Sequence, residues 1–233
     1  MEDFINNFIS QFKKENIIPK SNGRNDTLSF LCRNNNYKVC LEFGVFTGGT
    51  LNFISNFCSK LIGFDSFEGL PDNWDIGSQV IRKGHFKTNI PKINTKNTTL
   101  EIGLFQDTLV QFLEKNINLN FDMIHFDMDI YSAAYFVFDT LIKYDKLRNV
   151  TIIFDELINF PNFENGEMKA LYEMVTKYNL KYKIIGTHGN ILNINDFKRL
   201  KLKNESFHNI RLKGFYQECA IKILDYELPK NVV

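Results

Sequence analysis

An apolar run that ends in acids, IHFDMDIY at residues 124–131, constrains the fold of this 233-residue chain more than any other stretch. A run that begins apolar and ends polar is typical of a buried parallel strand that reaches the carboxyl edge of its sheet. Because side chains alternate along an extended chain, we expect Asp127 and Asp129 to project to the same side. Two ionised carboxylates held close together repel each other, and burial increases the cost. The stretch therefore predicts a cation or a shared proton at this point.

A second apolar run, VTIIFDE at residues 150–156, repeats the pattern and ends in Asp155 and Glu156. If the two runs form neighbouring strands, four carboxylates converge, as a hard divalent cation requires. The alternative for each acid taken singly is a helix cap or a solvent-exposed strand end. Two such clusters, each directly after a core strand, favour a functional site.

Length and composition limit the class of protein. A chain with 44% hydrophobic residues suits one α/β domain over residues 1–233, with an N-terminal helical cap at 1–37 and a lid segment at 66–97. The net charge of +1 and the pI of about 7.6 give no indication of a nucleic-acid or membrane partner. We expect a cytoplasmic protein, because the chain shows neither a signal peptide nor an apolar run near the roughly 20 residues of a membrane span. We attribute the 23 phenylalanines to compositional drift.

A glycine-containing turn, GVFTGGT, follows the apolar run at 39–43 and precedes a helical stretch at 50–58. Strand, glycine turn and helix in this order make a nucleotide-binding half-unit. Gly44 and Gly48 would let the backbone turn sharply and approach a ligand closely. Phe46 stands where the dinucleotide fingerprint has its second glycine, so a diphosphate has little room. A ligand without phosphates, such as S-adenosylmethionine, fits better.

The next apolar run, LIGFD, ends in Asp65, 23 residues after Glu42. An acid that ends the second strand of such a fold accepts hydrogen bonds from the ribose hydroxyls of an adenosine cofactor. With further strands predicted along the chain, we expect a Rossmann-like, mostly parallel sheet of seven strands. Helices should cover both faces, and the strand at 217–224 should run antiparallel near one edge.

Three histidines are candidates for catalysis or substrate binding. His125 lies further back in its apolar run than the acids, so we interpret it as a hydrogen-bonded core histidine and not as a base. His188 and His208 fall in a polar stretch and are expected to be solvated, with contact to substrate as the alternative.

Five ordered motifs resemble one enzyme family. They are EFGVFTGGT from Glu42, GFDSFEGLP from Gly63, GLFQDTL from Gly103, HFDMDIYS from His125, and IIFDE at 152–156. Together they resemble the macrocin-type O-methyltransferases, class I S-adenosylmethionine enzymes that methylate sugar hydroxyls in antibiotic biosynthesis. The resemblance implies the class I methyltransferase fold and a divalent cation such as Mg²⁺, and it is compatible with a dimer or larger homo-oligomer.

The resemblance also implies roles for individual residues. Asp129 stands at the position of the general base, and Asp127, Asp155 and Glu156 stand at the metal-ligand positions. Glu156 departs from the sugar enzymes of the family, which carry a second Asp there. The cofactor-binding positions would be Glu42, Gly44, Phe46, Gly48, Asp65, Ser66, Gly103, Leu104 and Asp127.

We therefore expect transfer of a sulfonium methyl group to a hydroxyl of a sugar or glycosylated small molecule. A divalent ion would lower the pKa of that hydroxyl, and Asp129 would take its proton. Mg²⁺ is the favoured ion, with Ca²⁺ as the alternative. Two other functions stay open: methylation of a catechol or other phenol by the same chemistry, and non-catalytic binding of S-adenosylmethionine.

Overall fold

The structure, a computed structural model, describes residues 1–19, 26–203 and 205–228. The parts of the predicted domain at 20–25, 204 and 229–233 lie outside the described residues. The helices α1 to α8 span Glu2–Ser10, Asp26–Asn34, Gly49–Ile54, Phe105–Lys115, Tyr131–Lys143, Glu167–Tyr178, Ile194–Leu202 and Phe207–Leu212. The strands β1 to β10 span Ile17–Ile18, Tyr37–Phe43, Cys58–Asp65, Trp74–Asp75, Val80–Ile81, Thr98–Ile102, Met123–Phe126, Thr151–Phe154, Lys181–His188 and Cys219–Asp225. Among the helices of these ranges, none has the length and apolarity needed to cross a bilayer.

Eight of the described strands form one sheet in the order β1-β9-β10-β8-β7-β2-β3-β6, and β4 pairs with β5 in a separate antiparallel hairpin. Strand β10 is antiparallel to β8 and to β9, whereas every other neighbouring pair in the large sheet is parallel. The predicted mostly parallel sheet with one antiparallel strand is confirmed. Its predicted count of seven is one short, because the two residues of β1 pair with β9 at the edge. Short edge pairings of this kind leave no clear pattern in a sequence.

Helices cover both faces of the sheet, as predicted. In β2, Leu41 and Phe43 pack in the larger core with residues of α1, α4, α5 and α6, whereas Cys40 packs in a second core with residues of α2 and α3. This division follows from the alternation of side chains along a strand. A strand buried on both faces needs a nearly continuous apolar run. The buried parts of β2, β7 and β8 show it, interrupted by Glu42 and His125, whose side chains bond each other.

Four neighbouring strands have a fully buried phenylalanine at or next to their carboxyl ends, namely Phe64, Phe43, Phe126 and Phe154. The strand register places these four residues side by side across β3, β2, β7 and β8. Their ring centroids are 4.8, 5.9 and 5.2 Å apart in that order. Burying one such side chain contributes about 1.5–3 kcal/mol. We call these four residues the phenylalanine row. It is a structural feature, so the interpretation of phenylalanine as compositional drift misses the role of these four.

Candidate active site

A cavity of about 1120 Å³ opens at the carboxyl ends of the parallel strands. It lies where the strand order reverses: after β2 the chain forms β3 and β6 on one side of β2, and later β7 and β8 on the other side. Ligands of open α/β sheets bind at this kind of switch point. Each member of the phenylalanine row is followed directly by a residue that lines the cavity. These residues are Asp65, Gly44, Asp127 and Asp155. The buried phenylalanine row therefore fixes the backbone of the residues that line the cavity.

Ten of the twelve predicted site residues line this cavity, and Glu42 and Gly48 lie outside its described wall. The ten are Gly44, Phe46, Asp65, Ser66, Gly103, Leu104, Asp127, Asp129, Asp155 and Glu156. The 66–97 segment contributes six further wall residues, Gly69, Leu70, Pro71, Asp72, Trp74 and Phe86. The fold thus brings together most of what the sequence analysis selected.

The glycine turn is shaped by close backbone contacts. Gly44 has a φ of +90°, and a Cβ built on it would lie 1.8 Å from the carbonyl oxygen of Asp127. Gly48 has a φ of +77° and precedes α3, where an added Cβ would lie 3.1 Å from Pro91. Both positions require glycine, because other residues rarely adopt a positive φ. Gly48 serves the shape of the turn, since it packs against the 66–97 segment and not into the cavity.

Asp65 holds the turn through its carboxylate. Its Oδ2 accepts hydrogen bonds from the backbone N–H groups of Val45 and Phe46, both at 2.8 Å. Its Oδ1 accepts from the N–H of Phe67 at 2.7 Å. A carboxylate offers about four lone-pair sites, so acceptor capacity remains for the hydroxyls of a ribose. Asp65 can therefore order the turn and bind a ligand at once.

The acids that follow β7 and β8 lie close together, as the sequence predicted for neighbouring strands. The N–H of Asp127 donates to the carbonyl of Phe43, and the N–H of Asp155 donates to that of Phe126, both at 2.9 Å. These bonds extend the sheet by one residue past each strand. The prediction that Asp127 and Asp129 project to the same side of an extended strand is wrong, because β7 ends at Phe126 and Asp129 has a φ of +61°. A turn, and not an extended strand, brings these two carboxylates together.

Carboxylate oxygens of Asp127, Asp129 and Glu156 all lie within 4.8 Å of one another, a group that could hold a metal ion. This group differs from the predicted ligand set, since it contains Asp129 in place of Asp155. Glu156 belongs to it despite the longer side chain. Its Oε2 is buried without a hydrogen-bond partner, and the donor set consists of oxygen alone. Both features suit a hard cation such as Mg²⁺.

Burial raises the pKa of Asp127, Asp129 and Glu156 well above the ordinary range. The negative charge of Asp155 adds to the increase in all three, and for Asp129 the charge of Glu167 contributes more than that of Asp155. Such a concentration of buried acids is unfavourable unless protons or a cation compensate it.

His125 is 1% exposed and its Nδ1 lies 3.0 Å from Oε1 of the fully buried Glu42. Burial acts to lower the pKa of His125, but the bond to Glu42 and the charges of Glu42, Asp127 and Asp155 outweigh it and raise the pKa to about 9. The prediction of a hydrogen-bonded core histidine is confirmed. Glu42 faces this histidine beneath the cavity.

The far end of the cavity lies at the end of β9, the start of β10 and in α8, and apart from His188 the sequence analysis did not select its residues. His188 is 4% exposed and lines this end, so its predicted solvation is wrong, whereas His208 is exposed as predicted. Glu218 accepts a hydrogen bond from the N–H of Thr27 at 2.8 Å, and burial raises the pKa of Glu218 to about 7. The other wall residues here are Arg211, Tyr216 and Gln217. The one sequence signal was a pair of polar residues, Gln217 and Glu218, directly before an apolar run.

Comparison with protein-family models and with curated proteins gives no match. Solved structures do match. CalS11, a calicheamicin methyltransferase, is 21% identical with a TM-score of 0.51, over 67% of this chain and 71% of that one. The O-methyltransferase TomG from Streptomyces achromogenes, solved with SAM, is 12% identical with a TM-score of 0.52, over 89% and 82%. An O-methyltransferase from Bacillus cereus, solved with SAH, is 14% identical with a TM-score of 0.51, over 96% and 89%.

The chain has the Rossmann-like fold of the class I methyltransferases. At these identities the similarity bears on the fold, and the function must be argued from the site itself.

Proposed function

We propose that this protein is an S-adenosylmethionine-dependent O-methyltransferase of the macrocin type, acting on a hydroxyl of a sugar or glycosylated small molecule with the help of a divalent cation. The observation that carries the proposal is one cavity in which the glycine turn at Gly44 meets the carboxylates of Asp127, Asp129 and Glu156. A donor turn and an acid cluster in contact are what a cation-assisted methyl transfer needs.

The cofactor would lie along the ends of β2, β3 and β6. Asp65 would accept hydrogen bonds from the ribose hydroxyls, while Gly103 and Leu104 would flank the adenine. Phe46 and Leu104 are exposed large apolar side chains that line the cavity, as expected of surfaces that a bound ring covers. Gly44, Ser66 and Asp127 complete the proposed contacts. S-adenosylmethionine, when bound, supplies an electrophilic methyl group.

Asp127 and Glu156 belong both to the predicted ligand set and to the group of three carboxylates that lie within 4.8 Å. We propose them as ligands of the cation, with Asp155 as a further ligand because it lines the same cavity and directly precedes Glu156. A divalent ion, when bound, supplies positive charge that makes an acceptor hydroxyl more acidic. Mg²⁺ suits the oxygen donors best, with Ca²⁺ as the alternative.

Asp129 would take the proton of the acceptor hydroxyl. Its carboxylate lies within 4.8 Å of those of Asp127 and Glu156, so it can reach a hydroxyl held at the same place. In the cation-free protein, burial and the charge of Glu167 raise the pKa of Asp129, so this carboxylate readily holds a proton. Its positive φ places the backbone in the left-handed region, which costs about 1–3 kcal/mol, and strain of this kind is common at active sites.

The nature of the cavity favours a sugar over a catechol. About 1120 Å³ exceeds the roughly 300–1,000 Å³ of a pocket for one drug-sized ligand, which leaves room for an acceptor beside the cofactor. The far end is lined by polar groups, Arg211 bonded to Gln217 and Glu218 bonded to Thr27, and such a polar wall suits hydroxyl groups. A catechol would need an apolar slot there. We propose a small-molecule partner and a cytoplasmic location, and a homo-oligomer stays a prediction from the resemblance.

The test measures S-adenosylmethionine binding by calorimetry, and methyl transfer to panels of glycosides and of catechols, with Mg²⁺ and with EDTA. We expect Mg²⁺-dependent transfer to glycosides. Asp129→Asn should lower turnover by at least about 100-fold, the share of a general base, and leave cofactor affinity nearly intact. Asp107→Asn, a substitution in the first turn of α4, is the control.

Strong activity of Asp129→Asn would exclude Asp129 as the base. Turnover on catechols alone would favour the phenol reaction. Cofactor binding without turnover on either panel would favour a non-catalytic binder.

A further inference from the structure

Glu167 is a buried acid that the proposed reaction does not use. It is the first residue of α6 and is 1% exposed. Neither of its carboxylate oxygens has a well-formed hydrogen bond, although the backbone N–H of Met128 lies close enough to favour the ionised form of Glu167. A buried carboxylate without such bonds loses its hydration and gains little in return, so it destabilises the protein that carries it. A residue of this kind calls for a functional explanation.

The position of Glu167 suggests what that function is. The charges of Asp127 and Asp155 act on Glu167, and the charge of Glu167 acts on Asp129. A Cβ built on Gly166, the preceding residue, would lie 3.8 Å from the carbonyl oxygen of Asp129. The start of α6 therefore packs behind the turn that carries Asp129.

Glu167 adds a further acid to Asp127, Asp129, Asp155 and Glu156, and the charges of Glu42 and Asp65 also act on this group. Among the described residues, the ion pairs of lysine and arginine join other acids. His125 lies nearby, but its Nδ1 is engaged by Glu42. The N-terminus of α6 offers about half a positive charge. Protons or a cation must therefore compensate the negative charge of these acids, and one divalent ion would supply two positive charges.

We infer that Glu167 is a positioning residue of the cation site, one that strengthens binding of a hard divalent cation by the proposed ligands Asp127, Asp155 and Glu156. This inference rests on the proposed function. Glu167 stands outside the group of three carboxylates within 4.8 Å, so it acts by its charge and by its packing behind Asp129. Burial of Glu167 lowers the stability of the cation-free protein, and the negative charge of Glu167 stabilises the cation-bound protein.

The experiment uses the full chain without acceptor and compares Glu167→Gln with the wild type. Glu173→Gln is the matched control, because it removes the same charge from the same helix and keeps an acceptor for the hydroxyl of Tyr131. Calorimetry measures the affinities for Mg²⁺ and Mn²⁺, and thermal unfolding is recorded with and without the ion. Binding of S-adenosylmethionine checks that each variant is folded.

We expect Glu167→Gln to weaken cation binding at least tenfold and to raise the Tm of the cation-free protein by about 2–4 °C. Glu167→Asp, which keeps the charge, should recover part of the affinity, and Glu173→Gln should bind as the wild type does. Wild-type affinity in Glu167→Gln would overturn the inference and leave the proposed function intact. A wild type that binds S-adenosylmethionine but no divalent ion would instead overturn the cation-assisted reaction itself, and this inference with it.

Discussion

The α-carbon of Gly44 lies against the main chain of Asp127, so closely that a Cβ there would be 1.8 Å from the Asp127 carbonyl oxygen. The same stretch is tied by hydrogen bonds from Gly44 N–H to the Phe64 carbonyl and from Asp127 N–H to the Phe43 carbonyl. The turn proposed for the cofactor and the acid proposed for the cation are therefore parts of one rigid unit. A substitution in the glycine turn should therefore alter cation binding, and a substitution at Asp127 should alter cofactor binding.

Gly44→Ala should destabilise the protein by more than about 2 kcal/mol and abolish S-adenosylmethionine binding, because the new Cβ meets the Asp127 carbonyl at a positive φ. Gly49→Ala is the control, since a Cβ there meets no atom within 4 Å, and its stability should stay within about 1 kcal/mol of the wild type. Urea unfolding and calorimetric titration measure the two effects. Equal unfolding free energies and equal S-adenosylmethionine affinities of the two variants would contradict the close contact between Gly44 and Asp127.

Phe126→Ala should cost about 3–5 kcal/mol, because it opens a cavity in the middle of the phenylalanine row. Phe126→Leu should cost less, since it keeps most of the volume. The next residue is Asp127, so we expect cation affinity to fall in Phe126→Ala even at temperatures where the variant is folded. A loss of stability with unchanged cation affinity would show that the row does not hold the acids in place.

The buried pair of Glu42 and His125 gives a third prediction. His125→Leu should cost about 3–5 kcal/mol, because it leaves the Glu42 carboxylate buried and unpaired. The double variant Glu42→Met with His125→Leu should cost less than the sum of the two single changes, since it removes both polar groups. A double-mutant cycle from urea unfolding gives the coupling, and strict additivity would argue against a paired buried site.

The pH dependence of stability should depend on Asp139, which accepts hydrogen bonds from Lys177 and from the hydroxyl of Tyr178 and pairs with Lys143. Burial acts to raise the pKa of Asp139, but these partners outweigh it and lower the pKa. The ionised form is thus favoured in the folded state. Its contribution is complete at pH values above the ordinary pKa of about 3.9 and is lost as the pH falls through the lower, folded value.

Asp139→Asn should therefore cost about 1–3 kcal/mol at pH 7 and progressively less below pH 4. Urea unfolding at pH 7 and at pH 3 tests this, with Asp107→Asn as the control for a general effect of charge. A difference in unfolding free energy between Asp139→Asn and the wild type that stays constant down to pH 2 would rule out the lowered pKa of Asp139.

Much of the fold and of the site could be predicted because their signals are local. The apolar runs that become β2, β3, β7 and β8 each lead directly into a glycine or an acid, and parallel strands put such residues on one edge of the sheet. His125 could be assigned to the core from its place in an apolar run. The positive φ at Asp129 left no such signal, and neither did the burial of His188, which lies in a polar stretch of the sequence.

The sequence by itself determined which residues follow the core strands, and therefore which acids and glycines could share one edge of the sheet. Only the tertiary structure decided that Asp129 turns back toward Glu156, that four phenylalanines align beneath the acids, and that Glu167 and Glu218 approach from distant segments. Strand patterns follow from side-chain alternation between neighbours in the chain. Contacts across the cavity depend on how separate elements pack, and residues far apart in sequence carry no periodic signal of that packing.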